Sequence, residues 1–186
     1  MLRQQDTAFH NFLEDGEINV IVLTAADSKG WETPLQEAKD AGKIVILQDR
    51  RVDAPENLYA ACVGSDFVEE GRKAALEMCA LLGDQKGKKV WELAGSFGTS
   101  ASADRGQGFR ERMEKCGIEI AKSRPAGWMS SEGKLVTEDF LAETYDVQGI
   151  FAQNDDRGLG AIEALKAPGG CIPCRRPACR TDDNRG

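Results

Sequence analysis

From residue 17 onward the hydrophobic positions follow two periods in turn. The runs EINVIVLTA, KIVILQD, LYAACVGS, KKVWELAG, GIEIAKS and VQGIFAQ have the length and β-branched content of strands. Between them the apolar positions fall three or four apart. Residues 31–41 predict a helix whose first turn tolerates Pro34 and which Gly42 closes. DFVEEGRKAALEMCALLG sets Phe67, Gly71, Ala74, Met78 and Leu82 at helical spacing, and ADRGQGFRERMEKCG puts Phe109, Met113 and Cys116 on one side. Further helices are expected over residues 131–143 and through Leu159, Ile162 and Leu165.

Apolar strands joined by crossover helices predict an α/β fold, with mostly parallel sheets and helices on both faces. The two ends depart from this rhythm. The chain opens on a helix-like piece, residues 4–14, with no strand before it, so the N-terminus reads as incomplete. The opening MLRQQDTAFHNF also lacks the long apolar stretch of a secretory signal. From Pro168 the text becomes PGGCIPCRRPACRTDDNRG, without apolar period, and is expected to be disordered.

Composition narrows the function classes. A net charge of -7 argues against a general nucleic-acid partner, and no apolar run is long enough to cross a bilayer. Cys62, Cys79 and Cys116 stand singly among apolar positions, where buried free thiols are expected. Cys171, Cys174 and Cys179 resemble half a zinc knuckle, but no fourth ligand lies near, so no metal is expected. The single His10 is expected to be structural or exposed, and no cofactor is expected.

In parallel α/β folds ligands gather at the carboxyl ends of strands, where helix N-termini also point. The strand exits here carry residues 24–28, Gln48-Asp49-Arg50, the GSFGTS loop, PAGW, and Asn154-Asp155-Asp156. Asp49 and Arg50 place an acceptor beside a rigid donor fork, which suits a polyhydroxylated ligand or, alternatively, a surface ion pair. Arg105 is a second donor candidate, with a local ion pair as its alternative. Trp128 offers a flat ring on which the C–H face of a sugar stacks. Asn154 brings both donor and acceptor, although one of residues 154–156 must cap the following helix. GSFGTSASADRG lacks the Walker lysine and the dinucleotide spacing, leaving its amides to cradle an anion or cap a helix, with Ser100 and Ser102 as cap candidates. Glu92 and Asp49 would form a glycosidase pair only if they met across the sheet, and Glu92 lies inside a strand. An enzyme is not expected.

GWETPLQEAKDAGKIVILQDR, GSDFVEEGRKAALEM, VWELAGSFGTSASADRGQGF and VQGIFAQNDDRGLGAIEAL together resemble periplasmic sugar-binding proteins of bacterial ABC importers, of the ribose- and galactofuranose-binding type. The resemblance covers residues 4–167 and implies two α/β lobes that close on a monosaccharide, a pentose or hexose, and deliver it to a membrane permease. It implies that Asp49 and Arg50 bind hydroxyls from the first lobe, that Arg105 and Asn154 do so from the second, and that Trp128 is the stacking ring. The implied layout is a partial first lobe over residues 1–64, most of the second over 65–167, and an unmatched tail over 168–186. It further implies a periplasmic parent protein without nucleic-acid partners or direct membrane insertion. The family's opening strand and final third have no match here, so the chain reads as truncated at both ends and its binding as impaired. Two other readings stay open: the sugar-sensing effector domain of a LacI-like repressor, and a non-binding structural fragment.

Overall fold

Strand and helix alternate as the two periods require. The computed structural model describes residues 2–83 and 87–167, so the expectations for residues 168–186, including Cys171, Cys174 and Cys179, lie outside the described residues. Helix α1 (Leu2–Glu14) leads into β1 (Val20–Leu23), α2 (Glu32–Asp40), β2 (Ile44–Gln48), a 3-10 turn at Glu56–Leu58 and β3 (Ala61–Val63). Then follow α3 (Phe67–Leu82), β4 (Lys89–Ala94), α4 (Ser100–Cys116), β5 (Glu119–Pro125), α5 (Ser130–Glu143), β6 (Gly149–Ala152) and α6 (Asp155–Lys166). Helix α4 starts three residues before the expected position. Thr99 Oγ1 closes the preceding loop on the Ser96 carbonyl at 3.0 Å, and Ala103 N–H already donates to Thr99 O at 3.2 Å. Ser100 and Ser102 therefore sit inside the first turn, where Ser100 Oγ donates to Arg51 O at 3.2 Å.

The described chain forms two compact units, one from residues 2–72 and 96–108, the other from 73–83, 87–95 and 109–167. In the first, β1, β2 and β3 pair in parallel in that order, with Val20 opposite Ile44 and Ile46 opposite Ala61. Ile21, Leu23, Val45 and Leu47 point to one face and pack against Phe9 of α1 and Leu35 and Ala38 of α2, together with Trp31. Phe9 meets Trp31 edge-on, ring centroids 5.6 Å apart. His10 adds a polar tie between the helices, its Nδ1 bonding Asp6 O at 2.7 Å and its Nε2 Glu37 Oε2 at 3.0 Å. The Asp6 carbonyl bond, then the two carboxylates, hold its pKa above the ordinary imidazole value.

The opposite face of this sheet is open. Val20, Val22, Ile44 and Val63 are 48%, 58%, 49% and 64% exposed, which departs from helices on both faces. Among the described residues, α1 and α2 supply the helical cover, and both lie on the other side. A contiguous β-branched surface of this kind promotes self-association. Val22→Thr with Val63→Thr is expected to cut binding of an apolar dye and concentration-dependent light scattering several-fold. Stability should move by less than about 0.5 kcal/mol, the usual range for surface positions. Unchanged scattering would show that this face does not drive self-association.

The second unit is built differently. Its parallel sheet runs β5-β4-β6 and is covered twice. Trp91 and Leu93 face Val136 and Phe140 of α5 and Ala161 and Ala164 of α6. On the other side, Val90 and Phe151 meet Ala75 and Cys79 of α3 and Phe109 and Met113 of α4. Phe109 and Phe151 stack with centroids 3.9 Å apart. Because α3 and α4 share this face, Cys79 and Cys116 come within 6.3 Å Cα to Cα and form a disulfide. Two expected free thiols are thus a cross-link. Cys62, half-buried beside the first core, is free as expected.

Candidate functional site

Asp49 follows β2 directly with φ 69°, the left-handed region that residues other than glycine seldom adopt. It is held there from β3. Its N–H donates to Val63 O at 2.8 Å, and a Cβ on Gly64 would sit 2.5 Å from the Asp49 carbonyl oxygen. Backbone strain of this sort concentrates at functional sites, where surrounding structure enforces it. Arg50 Nε donates to Asp49 Oδ2 at 3.1 Å, and its Nη1 reaches Ala25 O at 3.4 Å at the exit of β1. The two predicted residues are therefore together. The ion pair weighed against ligand binding is present, with Asp49 exposed and Arg50 half-buried.

Arg105 belongs to the part of α4 in this same unit. Its guanidinium lies 4.4 Å from the centre of the Phe67 ring, and Nε donates to Glu70 Oε2 at 2.7 Å. One turn of α3 thus orients the arginine through a cation–π contact and a charge-assisted bond. Asp104, beside it, has its pKa raised, first by burial and then by repulsion from Asp66, against a smaller opposing pull from Arg51. A carboxyl with a raised folded-state pKa binds its proton more tightly in the native than in the unfolded chain. Between the two pKa values this contribution to stability falls as pH rises. Above the folded value the full cost remains. Asp104→Asn is expected to raise the melting temperature at pH 7 and to lose that gain near pH 3, as a wild-type-minus-variant difference measured by thermal melts.

Trp128 and Asn154 meet in the second unit. Gly127, at φ 50°, turns the chain out of β5, and a Cβ there would collide with the Glu132 carboxylate. Glu132 Oε2 accepts the N–H groups of Trp128 and Met129, both at 3.0 Å, which seals the start of α5. Asn154 caps α6, with Oδ1 accepting Arg157 N–H at 3.2 Å and Arg157 Nε–H at 2.6 Å. Its Nδ2 donates to Trp128 O at 3.3 Å. The capping residue is therefore the binding candidate itself, while Asp155 and Asp156 lie exposed in the first turn, where the helix dipole favours them. Arg157 is fully buried and lies 4.8 Å from the centre of the Trp128 ring.

Behind these strand exits sits a carboxylate with no room for catalysis. Glu92 is fully buried, and Oε2 accepts from Ser123 Oγ at 2.6 Å and from Arg110, while Oε1 accepts Gln153 Nε2 at 2.9 Å. Gln153 Oε1 in turn accepts Gly95 N–H at 2.9 Å. The network ties β4 to both neighbours and fixes the start of the GSFGTS loop. Asp49 and Glu92 belong to different sheets, so they do not face each other across one sheet as a glycosidase pair would require there.

Sequence reasoning missed Arg157, Glu132, Glu70 and the Glu92 network. Arg157 and Glu132 stand at the third position of helices that follow turns, a spacing from which a side chain reaches back to the cap. Glu70 and Glu92 carried no such signal, since their partners are distant in the chain.

The sequence of residues 2–172 matches the family model for the periplasmic binding protein domain. The chain is 34% identical over 177 residues to the galactofuranose-binding protein YtfQ of Escherichia coli, covering 89% of this chain and 53% of that protein. With the ribose import binding protein RbsB of Haemophilus influenzae it shares 41% identity over 151 residues, 81% of this chain and 50% of the other. A Mycobacterium smegmatis protein crystallised with β-D-fucofuranose superposes with a TM-score of 0.85 at 37% identity, over 90% of this chain and 56% of that one. The chain spans about half the length of the curated relatives it matches. Parallel sheets, strand-exit side chains and a match along nearly the whole described chain converge on one conclusion: the chain belongs to the periplasmic binding protein family.

Proposed function

We propose that the chain binds a monosaccharide, a pentose or hexose, through Asp49, Arg50, Arg105, Trp128 and Asn154. The observation that carries this reading is the half-buried Trp128, its backbone N–H held by Glu132 and its ring against the Arg157 guanidinium, beside the Asn154 amide at the ends of parallel strands. An indole offers a sugar its C–H-stacking face, and the adjoining amide recognises a hydroxyl. Residues 1–64 would be part of the first lobe and residues 65–167 most of the second, a division that differs from the compact units in giving residues 65–72 and 96–108, with Arg105, to the second lobe. The intact protein would pass the sugar to the permease of an ABC importer, without turnover, without nucleic acid and without entering the membrane itself. The named functions of similar proteins, galactofuranose binding and ribose import, support this over a repressor's effector domain. The Cys79–Cys116 disulfide supports an oxidising compartment such as the periplasm.

Calorimetry with a panel of free pentoses and hexoses tests the proposal. At least one sugar is expected to bind, and Trp128→Ala should weaken it at least tenfold, about 1.4 kcal/mol. Equal affinity of the Trp128→Ala chain, or no heat with any sugar, would overturn the reading.

A further inference from the structure

We propose that Arg157 is a positioning residue for sugar capture: it fixes the Trp128 ring and the Asn154 amide so that the pair offers an aromatic face and an amide donor to a ligand acceptor oxygen. This rests on the sugar-binding reading above and adds a residue and a polarity to it.

Three contacts carry the inference. Arg157 Nε and backbone N–H both reach Asn154 Oδ1, at 2.6 and 3.2 Å. The Arg157 guanidinium lies over the Trp128 ring at 4.8 Å, and its Nη1 points at Leu93 O at 3.4 Å, at the end of β4. Asn154 Nδ2 closes the circuit on the Trp128 carbonyl at 3.3 Å. Two N–H groups on one carbonyl oxygen decide which way the amide faces. Turning it over would set the NH2 group against the guanidinium, donor against donor. Asn154 therefore keeps its oxygen inward, and any hydrogen bond it offers outward comes from Nδ2. The cap then selects for an acceptor, a hydroxyl or ring oxygen, rather than for a hydroxyl proton.

The ring is fixed by the same group. A desolvated guanidinium holds an indole face more strongly than an exposed one, and its planar fork leaves little freedom once its hydrogen bonds are made. The guanidinium cannot retreat easily, because α6, which carries it, touches α5 backbone to backbone. A Cβ on Gly133 would lie 2.7 Å from Arg157 Cα and from its carbonyl oxygen. Trp128 is thus held through its N–H by Glu132, its carbonyl by Asn154 and its ring by Arg157.

Nuclear magnetic resonance on the 15N-labelled full chain, joined with calorimetry, tests this. In the unsubstituted protein, cross-relaxation between the Arg157 side chain and the Trp128 ring is expected without ligand, and its absence would overturn the proposal. Arg157→Met should shift both the Trp128 indole signal and the Asn154 NH2 signals, assigned with Trp128→Phe and Asn154→Asp. It should also weaken the best-bound sugar of the pentose and hexose panel at least tenfold. Arg157→Lys keeps the charge without the fork and should restore less than half of that loss on a logarithmic scale. Adding Trp128→Ala to Arg157→Met should cost much less than Trp128→Ala alone, as coupled residues do. If the wild type binds a sugar and both variants bind it equally with unmoved signals, Arg157 is not a positioning residue. If the signals move while no sugar binds the wild type, the fixing of ring and amide stands and the sugar reading falls.

Discussion

Gly160→Ala is expected to destabilise the second unit by about 3 kcal/mol, the upper end for overpacking a filled space. A Cβ at this position would lie 2.0 Å from Ser130 O and 2.7 Å from Lys134 N. Both are backbone atoms at the start of α5, so no side-chain rotation relieves the clash. The helices must separate. Because Trp128 lies two residues before α5, the same change should disturb its environment, which fluorescence reports alongside the thermal melt. Gly158→Ala is the control. Its Cβ would meet nothing nearer than the Ala152 Cβ at 3.8 Å, so the change should stabilise α6 by up to about 1 kcal/mol through helix propensity. Similar melting temperatures for the two variants would show that α5 and α6 are not in backbone contact.

Opening the Cys79–Cys116 disulfide should have an effect of comparable size. The bridge closes a loop with a sequence separation of 37, for which chain-entropy models give about 3–4 kcal/mol. For a chain of this length that corresponds to a drop in melting temperature of about 10 °C. Both sulfurs sit where α3 and α4 cover one face of the second sheet, so the loss should fall on that unit. The pair Cys79→Ala with Cys116→Ala isolates the effect of the bridge without a reductant in the calorimeter. Differential scanning calorimetry should show one transition shifted and the first unit's unchanged. An unshifted transition would mean that packing, not the cross-link, sets stability there.

The two cysteines also mark a limit of what could be read from the sequence. Residue spacing located α3 and α4 within three residues at each end, because helical periodicity is a local property. Whether those helices share a sheet face depends on strand order, and β5-β4-β6 is not chain order. The same limit hid the partners of Glu92, which reach it from α4, β5 and the end of β6. The open face of the first sheet was hidden as well. Val20, Val22 and Val63 are as apolar as the core-facing Ile21, Val45 and Leu47, so nothing in the strands themselves distinguishes a covered side from a bare one.

The candidate site was legible wherever a strand exit announced it. Asp49, Trp128 and Asn154 all lie just past strands, and their neighbours in the chain supply part of their support. Arg105 came within a helix, and only the fold shows that Glu70 and Phe67 hold it. Asn154 proved to be the helix cap, a role that takes its oxygen for Arg157 while its amide nitrogen donates to the Trp128 carbonyl.

Glu92 has a consequence of its own for how this chain can vary. Its carboxylate is shared among groups from residues 110, 123 and 153, far apart along the chain. Removing any one leaves the buried Glu92 carboxylate short of a partner, so single replacements at these positions are expected to be disfavoured. These positions should co-vary across homologues, inherited as a set even where the surrounding helices drift freely.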